Sequence, residues 1–106
     1  MLLNTTSSFK KDDIITLKNI LGEEIMCKFV EEDDTHYTIT DPWALGMSQQ
    51  GMSLMPPVVS GDMSRTVKFR KDHCMWAVPA DEKFVPGFIE HISGIAVIPK
   101  GSKIIT

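Results

Sequence analysis

Alternation of apolar and polar residues between Asp13 and Asp41 constrains this chain more than any other feature. In Ile25, Cys27 and Phe29 the apolar residues fall on every second position, while Glu24, Lys28 and Glu32 are charged. That is the period of a strand with one face on a core. Ile15 and Leu17 before it, and Tyr37 and Ile39 after it, repeat the pattern. The breaks are rich in turn formers, Asn19 to Gly22 and then Asp33-Asp34-Thr35. The stretch therefore predicts three antiparallel strands joined by two tight turns, at about 14–18, 23–31 and 36–40.

A chain of 106 residues is the size of one domain and can bury an adequate core without metals or disulfides. Apolar residues make up 42% and charged residues 24%, ordinary globular usage. No apolar run approaches the roughly 20 residues of a bilayer span, so no membrane partner is expected. Met1-Leu2-Leu3 runs straight into Asn4, Thr5 and Thr6, without the basic start and long apolar centre of a secretory signal. An intracellular, cytoplasmic protein is expected, with Cys27 and Cys74 as reduced structural thiols inside apolar strand patterns. The net charge of −3 gives no general attraction to a phosphate backbone, so any nucleic-acid site must be local.

Residues 1–12 read as a polar leader or one helical turn, and Asp41-Pro42 as the stop of the third strand, because proline lacks a backbone donor. From Trp43 to Met63 come four methionines, three glycines and Pro56-Pro57 without a clear period. This predicts a long Met-rich loop over 43–63, either folded back over the domain or in contact with a protein partner. A fourth strand is expected at about 65–70, Val67 and Phe69 inward and Lys68 and Arg70 outward, and a fifth at about 74–78. Only Lys71-Asp72-His73 separates them, the length of a tight hairpin or a bend. The fifth strand, Cys-Met-Trp-Ala-Val, is apolar on both faces and asks for cover on both, which points to assembly. In the extension over 80–106, Val85, Phe88, Ile89 and Ile92 form the stripe of a short helix, with Pro86 near its start and Gly94 as its stop. Ile95 to Ile98 reads as one more short strand.

Five strands in this order, the first three contiguous and an insertion before the last two, resemble the Sm-like family. Leu17-Lys18-Asn19-Ile20-Leu21-Gly22 stands where the family's first motif has a leucine, a polar turn and a glycine. Phe69-Arg70-Lys71-Asp72-His73-Cys74 is similar to its second motif. The resemblance covers about 13–41 and 65–78 and implies a mainly β fold: a small five-stranded SH3-type antiparallel barrel, here with a C-terminal helix and a short extra strand. A looser similarity, in the barrel followed by a helix and a Gly-Ile strand, is to small Sm-like proteins of marine bacteriophages.

The family's barrels join edge to edge, strand four to the next subunit's strand five, in rings that commonly bind single-stranded RNA. The resemblance therefore implies a homo-oligomeric hexamer or heptamer ring, with Phe69, Cys74, Met75, Trp76 and Val78 at the subunit joint. By position, RNA would meet His36 and Tyr37 after the second strand, and Arg70, Lys71 and His73 after the fourth. Two departures from the motif bear on that site. The asparagine expected near His36 is absent, and Lys71 replaces the usual glycine. Beside them, Glu31-Glu32-Asp33-Asp34 places four negative charges that would repel phosphate. A ring-forming structural or protein-interaction module without nucleic acid is the alternative expectation.

No catalytic constellation emerges. His73 and Cys74 are adjacent and so point to opposite faces of a strand, out of reach of a shared proton. The three histidines and two cysteines lack the paired spacing of a zinc site, and there is no glycine-rich phosphate loop. A non-enzyme without metal or cofactor is expected.

Overall fold

The computed structural model describes residues 9–58 and 60–93. The fold is mainly β: one antiparallel sheet of six strands and one helix. In chain order these are β1 (Ile14–Asn19), β2 (Glu24–Glu32), β3 (His36–Ser48), β4 (Gly51–Met55), β5 (Val67–Arg70), β6 (Cys74–Pro79) and α1 (Val85–Ser93). The sheet runs β4-β3-β2-β1-β6, and β5 pairs with β3 to one side of that path.

The β1–β2–β3 meander forms where alternation predicts it. Ile15, Leu17, Cys27, Phe29 and Ile39 make the buried cluster, and Tyr37, Val67, Phe69, Cys74 and Ala77 pack against it. The first turn is built by Asn19, whose side-chain oxygen accepts the N–H groups of Leu21 (2.9 Å) and Glu23 (3.0 Å). Gly22 completes it at φ +89°, a left-handed conformation that a side chain would strain. In the second turn Asp33 accepts the N–H groups of Thr35 and His36, both at 2.8 Å.

Three expectations are corrected. The third strand does not stop at Asp41-Pro42 but continues to Ser48. Its register against β2 passes from Lys28↔Thr40 to Met26↔Trp43, so β3 carries one extra residue there. Asp41 takes a positive φ of 52°, which aspartate tolerates better than most residues, and Pro42 sits in the resulting bulge, where no ladder donor is required. The supposed loop over 43–63 is therefore largely a hairpin arm, in which Ala44–Ser48 pairs with β4 around a two-residue turn.

The expected five-stranded closed barrel is instead an open six-stranded sheet. A single 3-10 turn, Lys71–His73, swings the chain out of β5 so that β6 pairs with β1 and not with β5. The bend between the fourth and fifth expected strands is real, and no hairpin forms there. The extra strand of the fold is β4, within the arm. The strand expected at 95–98 and the helix stop at Gly94 lie outside the described residues.

The leader, as far as it is described, is tied down. Phe9 packs on Phe29 with ring centroids 5.5 Å apart, and the Asp12 N–H donates to the Phe29 carbonyl at 2.7 Å. On the other side of β2, Met26 is buried as fully as Cys27, so this strand hides both faces in its middle. The helix α1 comes to that face, which Trp43 shares as the ladder partner of Met26. Its Phe88 is completely buried, and His91 meets the Trp43 ring edge-on with centroids 4.2 Å apart. Truncation of Phe88 to alanine removes the helix's buried anchor and should cost about 3–5 kcal/mol of stability, read from urea unfolding. A loss below 1 kcal/mol would mean that α1 contributes little to the fold.

Candidate nucleic-acid interface

The start of β3 and the end of β5 lie side by side, with His36 opposite Arg70 and Tyr37 opposite Phe69. Both strands then enter turns, and the Lys71 N–H donates to the Thr35 carbonyl at 2.8 Å, which locks the two turns together. Between them is a hollow of about 300 Å³ lined by Asp34, Thr35, His36, Arg70, Lys71 and Asp72. Strand pairing thus brings together three of the five residues expected to meet RNA, although they come from distant parts of the chain.

The other two are placed differently. Tyr37 is half-buried, packs against the core cluster, and lies under Lys71, whose Nζ is 5.0 Å from the ring centroid. Burial first, and then the charge of Glu32, push its phenol above the ordinary value. His73 faces a second hollow of about 430 Å³ with Asn19, Ile20, Leu21, Lys68, Phe69 and Arg70. Its carbonyl accepts the Ile20 N–H at 3.0 Å, which ties the 3-10 turn to the first hairpin.

Both cations of the first hollow already have anions. Arg70 grips Asp72 through two bonds, Nε to Oδ1 at 3.0 Å and Nη2 to Oδ2 at 2.6 Å. That contact draws the Asp72 carboxyl down and the Arg70 guanidinium up from their ordinary values. Lys71 Nζ donates to Glu32 Oε2 at 2.6 Å. Burial pulls the Lys71 ammonium down, but the hydrogen bond and charge of Glu32 outweigh it and hold the group above its usual value. With Asp34 also on the rim, the hollow presents no surplus of positive charge among the lining residues.

Sequence reasoning missed these partners for different reasons. Asp72 is two residues from Arg70, and a one-turn 3-10 segment could have suggested the pair. Glu32 and Lys71 are 39 positions apart, and only the pairing of β3 with both β2 and β5 makes them neighbours. Of the expected joint residues, Phe69 and Cys74 pack inward, while Met75, Trp76 and Val78 stand exposed on β6.

Comparison with known proteins gives no assignment. No protein-family model matches the chain, and no curated protein matches it either. Among the described residues no group of three or more His, Cys, Asp or Glu side chains is placed to hold a metal ion, and no helix is long and apolar enough to cross a membrane. Neither thiol is poised to react. Burial pushes the Cys27 thiol up to about 12, and burial likewise raises that of Cys74, whose Sγ donates to the Trp76 carbonyl at 3.1 Å.

The turn that carries His36 has its own pH dependence. Backbone hydrogen bonds from Thr35 and His36 lower the Asp33 carboxyl from 3.8 to about 2. A depressed folded-state value means that the stabilisation is complete above the unfolded value and disappears as pH falls from about 4 to about 2. Asp33→Ala should therefore lower the urea midpoint at pH 7, and its difference from wild type should narrow as pH falls from about 4 to about 2. Asp33→Asn, which keeps the acceptor oxygen, should recover part of the difference at pH 7. A gap that persists unchanged in acid would show that the turn does not depend on the carboxylate.

Proposed function

We propose that the protein is a self-assembling, Sm-like module without catalytic activity, in which the β6 edge of one copy pairs with the β5 edge of the next to build a ring. The observation that carries this reading is the state of β6. It ends the main path of the sheet, has no strand on its outer side among the described residues, and contains no charged residue from Cys74 to Pro79. Met75, Trp76 and Val78 are 58%, 62% and 43% exposed on it. Isolated edges of soluble proteins are normally guarded by charge, proline or cover; β6 has a proline only at its last position, Pro79, so the apolar edge before it favours burial against another chain. β5 offers the matching edge, since among the described residues its only strand partner is β3. Joining two different edges head to tail is a heterologous contact, which closes into a ring when the rotation per subunit permits.

Native mass spectrometry tests this directly. The wild type should weigh as a multimer, and Trp76→Glu, a charge in the middle of the joint, should disperse it while circular dichroism stays that of the folded chain. A folded Trp76→Glu protein that remains fully assembled would place the subunit contact elsewhere.

A second reading, single-stranded RNA held at the hollow, is favoured by the convergence of His36, Arg70 and Lys71 on one depression. An imidazole can stack on a base, and a phosphate could displace Asp72 from Arg70, because that ion pair is solvent-exposed and therefore weak. In this reading, the double variant Arg70→Ala, Lys71→Ala weakens binding of a labelled oligonucleotide. It should also make the slope of log affinity against log salt shallower by about 1.4, or ~0.7 for each lost phosphate contact. Unchanged affinity and slope in the folded double variant would remove both cations from the RNA site.

A further inference from the structure

The hairpin arm leaves a third free edge. Pairing between β2 and β3 ends at Glu24↔Leu45, so Gly46, Met47 and Ser48 are held only by β4, and β4 itself is the last strand of the sheet. One face of the arm is occupied: Trp43 meets His91 of α1, and the Met52 methyl group comes up against Gly87. The outer edge of β4 is not, among the described residues.

That edge lacks the charges of β5 and the large exposed side chains Met75, Trp76 and Val78 of β6. Between Asp41 and Asp62 the chain carries no charged residue at all, so neither strand of the arm bears a guard against edge pairing. The register settles which groups point outward. Ser48 and Gly51 close a two-residue turn as a mutually hydrogen-bonded pair, and the alternation that follows directs the backbone of Ser53 toward Gly46. The N–H and C=O groups of Met52 and Leu54 therefore face away from β3. A donor-acceptor pair at Met52 and another at Leu54, symmetric about Ser53, is the pattern that its own copy complements when turned antiparallel.

We propose that β4 pairs with β4 of a second copy about a two-fold axis at Ser53. Met52 lies opposite Leu54 of the second copy, and the two exchange both backbone hydrogen bonds. The two Ser53 residues then face each other as a non-hydrogen-bonded pair, where side chains approach most closely. A second copy fits this edge better than an unrelated peptide. The open edge of β4 carries no charge with which to select a foreign sequence, and its outward main-chain groups and the small side chain of Ser53 match themselves. One five-residue pairing is short, and arms carried together on a ring would gain from multivalency. The two-fold contact does not require the ring.

Substitution at Ser53 tests the proposal: the side chain is exposed, its hydroxyl donates to the Gly46 carbonyl across the arm at 3.5 Å, and Ser53→Thr, which keeps that hydroxyl, controls for the loss of this bond. Ser53→Lys puts two like charges face to face and should halve the native mass, from two rings to one or, if the ring reading is wrong, from two copies to one. Ser53→Thr should leave the mass unchanged. Ser53→Cys under mild oxidation should give a covalent dimer that the wild type, treated in parallel, does not. Trp76→Glu alone should leave a two-copy particle, which separates failure of the β5–β6 joint from failure of this one. A Ser53→Lys protein of unchanged mass, together with no crosslink in Ser53→Cys, overturns the proposal.

Discussion

The bulge at Asp41-Pro42 is the constraint on which the rest of the arrangement depends. A straight thirteen-residue strand would keep one set of neighbours along its length. By inserting one residue against β2, the bulge lets the first part of β3 pair with β5 and the last part with β4. The first pairing sets His36 beside Arg70, and the second creates an arm beyond the main sheet. Trp43, immediately after the bend and opposite Met26 in the ladder, is delivered to His91 and so helps to seat α1. Local strain at an aspartate with positive φ is offset by packing, since Pro42 is itself buried.

The same topology explains why the hollow is electrostatically balanced. Where β2, β3 and β5 end close together, the acidic run of the second turn meets the basic end of β5, and Glu32 and Lys71 are drawn into a partly shielded pair. Asp33 is committed elsewhere, to the backbone of its own turn. Acidic residues that look repulsive when read along the chain thus become structural counterions. What remains for a ligand is an imidazole, an exchangeable Arg70–Asp72 pair and a lysine over a tyrosine ring, a weaker attraction for phosphate than the sequence motif alone suggests.

Much of the fold was legible because its signals are local. The alternation at Ile15, Leu17, Cys27, Phe29 and Ile39 places the core directly, Asn19 and Gly22 announce their turn, and Val85, Phe88 and Ile92 announce the helix. The arm was not legible for an equally physical reason. Proline ordinarily ends a ladder, and Trp43 to Met55 shows little polar alternation because α1 covers one face while the other bears small residues such as Ala44, Gly46 and Ser53. Of the candidate site, the cations and His36 could be named from position, but the partners that neutralise those cations arise from strand order. Pairwise charge compensation across 39 positions leaves no periodic trace.

The three free edges among the described residues carry three different degrees of protection, and this difference orders the possible contacts. β5 is short and bears Lys68 and Arg70, so like edges would repel and a β5–β5 joint is disfavoured. β6 has no charge and exposes large apolar side chains, so its burial brings the greatest hydrophobic gain, and β5 supplies an edge with which it need not compete for the same surface. β4 has neither charge nor large apolar bulk on its open face beyond Met55, and what it offers is chiefly unpaired backbone. A heterologous contact between β5 and β6 uses one of each per subunit and leaves β4 over. In the proposed assembly the edge left over in every copy is complementary to itself, so both proposed joints would draw on one distribution of charge along the chain.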